Sequence, residues 1–517
     1  MTKKTRTEYS ILNIVTGLGG YAINTLLGLI CRMVFTRTLS AEYLGINGLF
    51  TNILTMLSLA ELGIGSAIVY ALYKPLADND TGKIASLVQF YGKCYKIIGA
   101  VVATIGIILM PFLNIIINEQ PAIKENLYLI YAIYLFNTAS TYLFSYKSSL
   151  ISASQQNYIV IGVNYLITIA QSFIQIIWLL STHEYLGYLI IQSIGTLIYN
   201  VTISYIAKRK FPYISAKNIK PLEKEERNGL IRNFRALIVW KISGLLVNST
   251  DNIIITFFQG LNTVGLSSNY TLLSGTLNSL LNQVFNGITA SVGNLNAIES
   301  NEKKISVFHV LNFMNFWMFG WATIGIFVMS TDVVRLMFGE NYVLPLNVPF
   351  VIALNFYMVG MQSAVWTFKN TMGLFRPGRY LLILTAAINL FFSIYLGKIW
   401  GVFGILFATA ISRACTNAWY DPYAVFKYGF KAKASLYFKK YVSYALILFI
   451  TGAICYGICS FFTFSILLNV VLKFSTCCII PNRFFLLCFH KSEEFQYFRT
   501  LVSRLFKKLT TKLLSKS

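Results

Sequence analysis

The sequence predicts an all-α polytopic membrane protein. Of its 517 residues, 56% are hydrophobic and only 12% are charged, whereas soluble globular proteins carry about 25% charged residues. Apolar runs of about 20 residues, the length that crosses the hydrocarbon core as a helix, recur along the chain. Lysine and arginine are distributed unevenly between the loops that join these runs. Together these patterns indicate that most of the protein surface faces lipid.

About fourteen apolar runs are long enough to span the membrane as helices. The first follows the basic start MTKKTRTEYS and is itself long enough to span, so we expect it to be retained rather than cleaved as a signal peptide. An even number of spans places both termini on the same side of the membrane. The predicted spans are 9–31, 44–73, 97–117, 127–146, 158–181, 186–207, 236–258, 265–293, 306–330, 347–367, 378–397, 400–420, 440–459 and 462–482.

The loop charges predict that both termini are cytoplasmic. In that orientation most loop lysines and arginines lie inside, Lys147 among them, and the formal net charge of +24 reflects topology and contacts with an anionic inner leaflet. Nothing further supports a nucleic-acid role. The basic residues expected in the outside loops are Arg32, Arg37, Lys124, Arg335 and Lys398.

Loop lengths divide the chain into five segments. The longest inside loop, about residues 208–235, contains two prolines and mixed charge, which predicts a linker followed by a short interfacial helix. The tail places phenylalanines on one helical face and basic residues mostly elsewhere, as in a helix lying on the inner leaflet. The predicted segments are an N-terminal lobe (1–210, spans one to six), a cytoplasmic linker with the interfacial helix (211–235), a C-terminal lobe (236–420, spans seven to twelve), two additional spans (421–484) and a basic amphipathic cytoplasmic tail (485–517).

A weak internal repeat relates two stretches of the chain. Residues 36–54, TRTLSAEYLGINGLFTNIL, align with residues 256–274, TFFQGLNTVGLSSNYTLLS, at a shift of 220 positions that pairs Gly45 with Gly265. Each stretch joins an odd span to the following even span, so both have the same orientation. This predicts a parallel repeat with its axis along the membrane normal, a transporter plan in which the substrate lies between the halves.

The predicted seventh span is unusually polar. Lys241 and Asp251 lie about 15 Å apart along a helix and within about 80° of one face, and Asn248 and Asn252 share a face at a spacing of four. Since Asp251 must find a cation or take up a proton in lipid, this span is expected to face inward. Two roles stay open: an interhelical lock, for example between Asp251 and Arg32, and coupling of transport to an ion.

Other charges also fall inside spans or at their ends. Glu61, in the second span, lies next to glycines that permit close helix approach, and its role is either packing or a proton or ion site. Arg413 lies in the twelfth span and Lys473 in the fourteenth. Arg32 and Arg37 lie at the outer end of the first span, where Arg37 could also simply extend to the outer surface.

The sequence motifs of several classes of enzyme are absent from the chain. The chain contains no GxxxxGK[ST] or HExxH sequence and no serine-nucleophile elbow, and no CxxC pair occurs among its eight cysteines. A membrane-bound glycan polymerase or ligase would need a large outside loop. We therefore expect no enzymatic activity, no metal site and no cofactor, apart from coupling to H⁺ or Na⁺.

Two runs carry a resemblance to a known family. The run TRTLSAEYLGINGLFTNILTMLSLAELGIGSAIVYALYKPLA and the later run KISGLLVNSTDNIIITFFQGLNTVGLSSNY resemble bacterial polysaccharide flippases, the Wzx-type members of the multidrug/oligosaccharidyl-lipid/polysaccharide exporter superfamily. The resemblance implies two six-helix lobes around a central cavity, with two added C-terminal helices. It also implies that an undecaprenyl-pyrophosphate-linked oligosaccharide moves from the inner to the outer leaflet by alternating access, for capsule, exopolysaccharide or another surface glycan.

The resemblance also suggests substrate contacts, because a diphosphate needs counter-charge to cross hydrocarbon. Arg32 and Arg37 match the family's basic position at the end of the first span; we add Lys241 and Arg413 because they fall inside spans. Expected partners are the lipid-linked oligosaccharide, anionic lipids, and a glycan polymerase or other assembly proteins at the bacterial plasma membrane. The alternatives are a cation-coupled multidrug exporter and a lipid II flippase.

Overall fold

A computed structural model describes most of the chain, and every regular element in the described residues is helical. The chain divides into an N-terminal unit, Met1–Gly265, and a C-terminal unit, Leu266–Ser517. The described residues are 6–58, 71–76, 78–117, 121–154, 156–216, 219–225, 227–228, 230–231, 250–374, 378, 380–497 and 499–500.

The described part of the N-terminal unit is mainly helical. Side chains cap two of the helix starts: Asp80 accepts a hydrogen bond from the Lys83 amide, and Asn126 accepts from the amides of Tyr128 and Leu129. The helices are α1 (Arg6–Thr38), α2 (Ala41–Leu57), α3 (Thr81–Leu109), α4 (Leu113–Ile117), α5 (Leu127–Thr141), α6 (Tyr146–Ala153), α7 (Asn157–Thr182), α8 (Tyr185–Lys210) and α9 (Asp251–Ile298), which continues into the next unit.

Small residues allow close packing within the N-terminal unit. A Cβ at Gly106 of α3 would overlap the Leu135 side chain of α5, and one at Gly187 of α8 would overlap the Trp178 ring of α7. Interfaces between membrane helices are enriched in small residues, because these allow backbones to approach. Buried tyrosines on α3 and the segment after α5, such as Tyr95 and Tyr142, fill the core between them.

The C-terminal unit begins within α9. Two glycines with positive φ interrupt long helices. Gly260 (φ 78°) interrupts α9 just before the C-terminal unit begins, and Gly401 (φ 58°) interrupts α12 within that unit. Across this break the Asn389 side chain donates a hydrogen bond of 3.0 Å to the Thr409 hydroxyl, whereas one continuous helix would place these residues about 30 Å apart. The chain therefore reverses at Gly401, and the described parts of the predicted spans 378–397 and 400–420 are two antiparallel helices. The helices are α10 (Asn301–Phe338), α11 (Asn347–Thr371), α12 (Leu381–Cys415), α13 (Asn417–Ala424), α14 (Ser435–Cys459) and α15 (Ile466–Phe489), with a π-turn at Val425–Phe430.

Helices α14 and α15 pack against α10. Phe316 of α10 stacks on Tyr444 of α14 with ring centroids 4.3 Å apart. Trp317 of α10 donates a hydrogen bond to Asn482 of α15 over 2.7 Å. The two C-terminal helices are thus attached to the unit through a buried aromatic layer along α10.

The helices have the length and polarity of membrane spans. Within the described residues, nine helical segments are long and apolar enough to cross a bilayer, and a tenth candidate combines α5 and α6, which meet at a 44° bend. Large apolar side chains on their surfaces are exposed, for example Phe449 and Leu487. The predicted all-α polytopic membrane class is confirmed. Residues 59–70 of the predicted second span and 236–249 of the seventh lie outside the described residues.

Candidate functional site: the end of the first helix

The first candidate cation, Arg32, lies near the end of α1. Its side chain is half-buried, and its charge lies within electrostatic range of the phenols of Tyr134 and Tyr188. Arg37, in the last turn of the same helix, is exposed. The two arginines that the sequence groups together therefore occupy different environments, and only Arg32 belongs to an enclosed polar cluster.

A cluster of tyrosines from three helices lies beside this position, with Tyr134 and Tyr188 nearest in charge to Arg32. The Tyr134 and Tyr185 hydroxyls lie 3.1 Å apart, and the Phe35 ring packs edge-on against Tyr188 at 5.2 Å. Tyr43, at the start of α2, packs on Tyr185 at 4.8 Å and donates a hydrogen bond to the Glu125 carboxylate. Sequence reasoning missed this cluster, because tyrosines at span ends are also the ordinary signature of a membrane interface.

A guanidinium beside phenol hydroxyls can hold an anion. The guanidinium supplies up to five N–H donors in a planar fork that matches phosphate oxygens. A hydroxyl can donate to the same anion or accept from the guanidinium. Because Arg32 is half-buried, its charge is less screened than the charge of Arg37 at the surface.

Asp251 and Asn252, from the polar stretch of the predicted seventh span, lie at the start of a helix. Helix α9 begins at Asp251, whose carboxylate is favourably placed in the first turn. The backbone carbonyl of Asn252 accepts from the Thr256 hydroxyl over 2.7 Å, and a Cβ at Gly48 of α2 would lie 3.4 Å from the Asn252 amide nitrogen. Asn252 therefore lies against α2. The predicted pairing of Asp251 with Arg32 stays a prediction.

The structure supports the internal repeat at residue level. Helix α2 follows a break at Ser40, and α9 restarts after a break at Gly260, the position 220 residues later. A Cβ at Gly45 would lie 2.0 Å from the Leu261 carbonyl oxygen, and a Cβ at Gly265 would lie 2.0 Å from the Ala41 carbonyl oxygen. Leu261 and Ala41 are themselves 220 positions apart. Equivalent residues thus make reciprocal contacts inside the N-terminal unit.

The cation of the twelfth span, Arg413, lies near the end of α12 and is half-buried. It belongs to the C-terminal unit. In the same unit Lys369, at the end of α11, forms an ion pair of 2.6 Å with the buried Asp421 of α13, which also accepts a hydrogen bond from Trp366 over 3.1 Å. Asp421 was missed because a single carboxylate in a short segment carries no pattern.

The charge in the predicted fourteenth span also has a partner. Lys473 of α15 pairs with Asp332 of α10, and Asp332 lies 3.4 Å from Arg335. Arg335 in turn binds Glu340 through two nitrogens, at 2.5 and 3.0 Å. This network joins α15 to α10, so Lys473 acts in packing. Glu61, Lys241 and Asn248 lie outside the described residues.

Comparison with known proteins identifies the family. Residues 12–300, more than half of the chain, match the family model described as polysaccharide biosynthesis protein. The chain belongs to this polysaccharide biosynthesis family. The predicted resemblance to polysaccharide flippases is therefore confirmed. No curated protein matches the chain.

Solved structures of flippases and transporters share the fold of this polysaccharide biosynthesis protein. The lipid II flippase MurJ, in an inward closed conformation, has a TM-score of 0.64 at 14% identity, covering 91% of this chain and 99% of its own. An inward-facing multidrug resistance MATE family transporter has a TM-score of 0.59 at 13% identity, covering 76% and 91%. A mutant of a Vibrio cholerae MATE transporter has a TM-score of 0.53 at 13% identity, covering 83% and 99%. At these identities the similarity concerns the fold alone.

Proposed function

We propose that the protein is a flippase for an undecaprenyl-pyrophosphate-linked oligosaccharide, which it moves from the inner to the outer leaflet of a bacterial plasma membrane by alternating access. The product would serve capsule, exopolysaccharide or another surface glycan. Membership of the polysaccharide biosynthesis family supports this, and so does the fold shared with flippases and transporters. The observation that carries the proposal is the half-buried Arg32, placed beside tyrosine hydroxyls at the end of α1.

The proposed chemistry is charge compensation for the pyrophosphate. In hydrocarbon an isolated diphosphate would have a prohibitive desolvation cost, and arginine reduces this cost by binding phosphate oxygens bidentately. Arg32 and Arg37 are the proposed contacts at the outer end of α1, with Lys241 and Arg413 as further cavity cations. Asp251, Glu61, Asn248 and Asn252 are proposed to couple transport to H⁺ or Na⁺ or to join helices. A glycan polymerase is the proposed downstream partner.

Two other transport functions have specific support. The lipid II flippase MurJ shares the fold over 91% of the chain, which favours a peptidoglycan precursor as the alternative lipid-linked substrate. MATE transporters share it over 76% and 83%, which favours a cation-coupled exporter. The anionic substrate is preferred because arginine and lysine, which bind phosphate, outnumber the carboxylates among the candidate residues.

The deciding experiment uses a deletion strain. We expect undecaprenyl-pyrophosphate oligosaccharide to accumulate on the cytoplasmic face while the surface glycan is lost. Accumulation of lipid II with arrested peptidoglycan synthesis would identify the alternative flippase. Normal glycan with raised sensitivity to cationic drugs would replace the proposal with the exporter.

Point variants then test the residues. Arg32→Ala and Lys241→Ala should each abolish glycan export while the protein still reaches the membrane. Lys398→Ala, a change of an exposed lysine, is the matched control and should export normally. Normal export from Arg32→Ala or Lys241→Ala would remove that residue from the substrate site.

A further inference from the structure

A buried lysine lies at the end of the N-terminal unit that is predicted to be cytoplasmic. The sequence predicted Lys147 in a loop on the inside. The loop is wrong, because Lys147 lies in the first turn of α6 and only 8% of the residue is exposed, and the inside location stays a prediction. The bend between α5 and α6 directs it inward, against α8. Its ammonium donates a hydrogen bond of 2.5 Å to the Ser204 hydroxyl.

The charges around Lys147 have the same sign as its own. Lys96 of α3 and Lys208 of α8 lie close enough to repel its ammonium. The Tyr146 ring also lies near the ammonium, with its centroid 5.3 Å from the nitrogen. Within the described residues no carboxylate forms an ion pair with Lys147.

This arrangement is unfavourable without an anion. An ammonium has three N–H donors, and the Ser204 hydroxyl accepts from one of them. Removing a cation from water is costly unless an opposite charge and further hydrogen bonds compensate it. Lys473, a lysine of α15 whose side chain is 16% exposed, has Asp332 as its partner. Lys147, by contrast, has Lys96 and Lys208 nearby and no carboxylate paired with it in the described residues.

A phosphate group satisfies each of these requirements. It carries the missing negative charge, and its oxygens accept several charge-assisted hydrogen bonds at once. Lysine is a common phosphate ligand that acts as a point charge. Lys96 and Lys208 would then stabilise the bound anion instead of opposing Lys147.

We propose that Lys147, Lys96 and Lys208 form a phosphate-binding site at the inner end of the N-terminal unit, and that its ligand is the phosphate of a membrane lipid. The inner leaflet is rich in anionic lipids, and juxtamembrane lysines bind their headgroups. The site is separate from the cations of the proposed transport function. It depends on that proposal only for the predicted cytoplasmic orientation.

The test measures lipid binding to the purified full-length protein by native mass spectrometry. The probes are phosphatidic acid, phosphatidylcholine and inorganic pyrophosphate. We expect Lys147→Met, which removes the charge and keeps the side-chain length, to weaken phosphatidic acid binding by about tenfold or more. Lys433→Met changes an exposed lysine of the C-terminal unit and should leave binding unchanged.

Each outcome is decisive. Equal phosphatidic acid binding by wild type and Lys147→Met overturns the site. If pyrophosphate binds in a Lys147-dependent way and phosphatidic acid does not bind, the site binds phosphate but its ligand is not a membrane lipid. If Lys147→Met does not fold, Lys208→Met provides the test, because Lys208 is exposed on the last turn of α8 and its loss should still weaken binding.

No transport is needed for this assay. Absence of lipid binding would therefore leave the proposed flippase function standing. A deletion strain with normal glycan would refute that function and would not change the binding result.

Discussion

The crossing of α2 with the restarted part of α9 provides the sharpest structural prediction. Adding one methyl group at Gly45 would place a Cβ 2.0 Å from the Leu261 carbonyl oxygen, and real Cβ contacts essentially never fall below 3.0 Å. The obstacle is backbone, which cannot rotate away as a side chain can. Gly45→Ala must therefore separate the two helices by at least the difference between these distances, about 1 Å.

The expected loss follows from that displacement. Forcing an extra methyl group into a packed interface costs about 1–3 kcal/mol. Alanine otherwise favours a helix over glycine by about 1 kcal/mol, so this gain partly offsets the loss. Gly265→Ala should behave like Gly45→Ala, because its Cβ would lie 2.0 Å from the Ala41 carbonyl oxygen. The double variant should lose less than the sum of the two, since either change alone opens the same contact.

The assay compares thermal stability and glycan export with those of two control variants. Gly28→Ala and Gly275→Ala change helical glycines where a Cβ would meet nothing within 4 Å, so neither should lower the melting temperature. Gly45→Ala and Gly265→Ala should lower it and reduce export. If all four variants melted and exported alike, the close backbone contact would be refuted.

Further predictions concern charged residues. Asp332→Asn should lower the free energy of unfolding by about 3–5 kcal/mol, because Lys473 keeps its charge and loses its carboxylate partner. The double variant Asp332→Leu with Lys473→Met should recover most of this loss, because both charges are removed. Unfolding of the purified variants measures both effects, and equal stability of the single and double variants would contradict the prediction. Burial raises the pKa of Glu494, but the hydrogen bond and charge of Lys440 more than offset this and hold the pKa below its ordinary 4.5. The ion pair therefore stabilises the start of the tail at neutral pH, and this stabilisation is lost as the pH falls below about 4.5. Limited proteolysis of the tail should then increase in acid for wild type and should not depend on pH in this range for Glu494→Gln.

The sequence was sufficient for the class of the protein and for the location of most helices. Apolar runs of spanning length predict helices because lipid leaves no other partner for the backbone polar groups. The boundary between the predicted spans 378–397 and 400–420 was also located correctly, because the chain reverses at Gly401. The predicted five-segment organisation and the cytoplasmic termini stay predictions.

The individual sites were harder to predict. Lys147 was interpreted as a loop lysine because it follows directly after an apolar run of spanning length, and a hydropathy pattern cannot detect a bend that buries the charge. The carboxylates Asp332 and Asp421 were missed because each is paired by a residue on another helix. Tyr134 and Tyr185 come together from α5 and α8, which no local spacing indicates.

The sequence by itself determined that this is a helical membrane protein, that two stretches 220 residues apart are related, and that the chain resembles polysaccharide flippases. These properties are carried by composition, periodicity and local motifs, which involve neighbours along the chain. Only the tertiary structure decided that Arg32 lies beside tyrosines, that Lys473 is paired and that the buried Lys147 has two other lysines nearby. The physical reason is that the environment of a charge is set by residues on other helices, and helix packing places those residues.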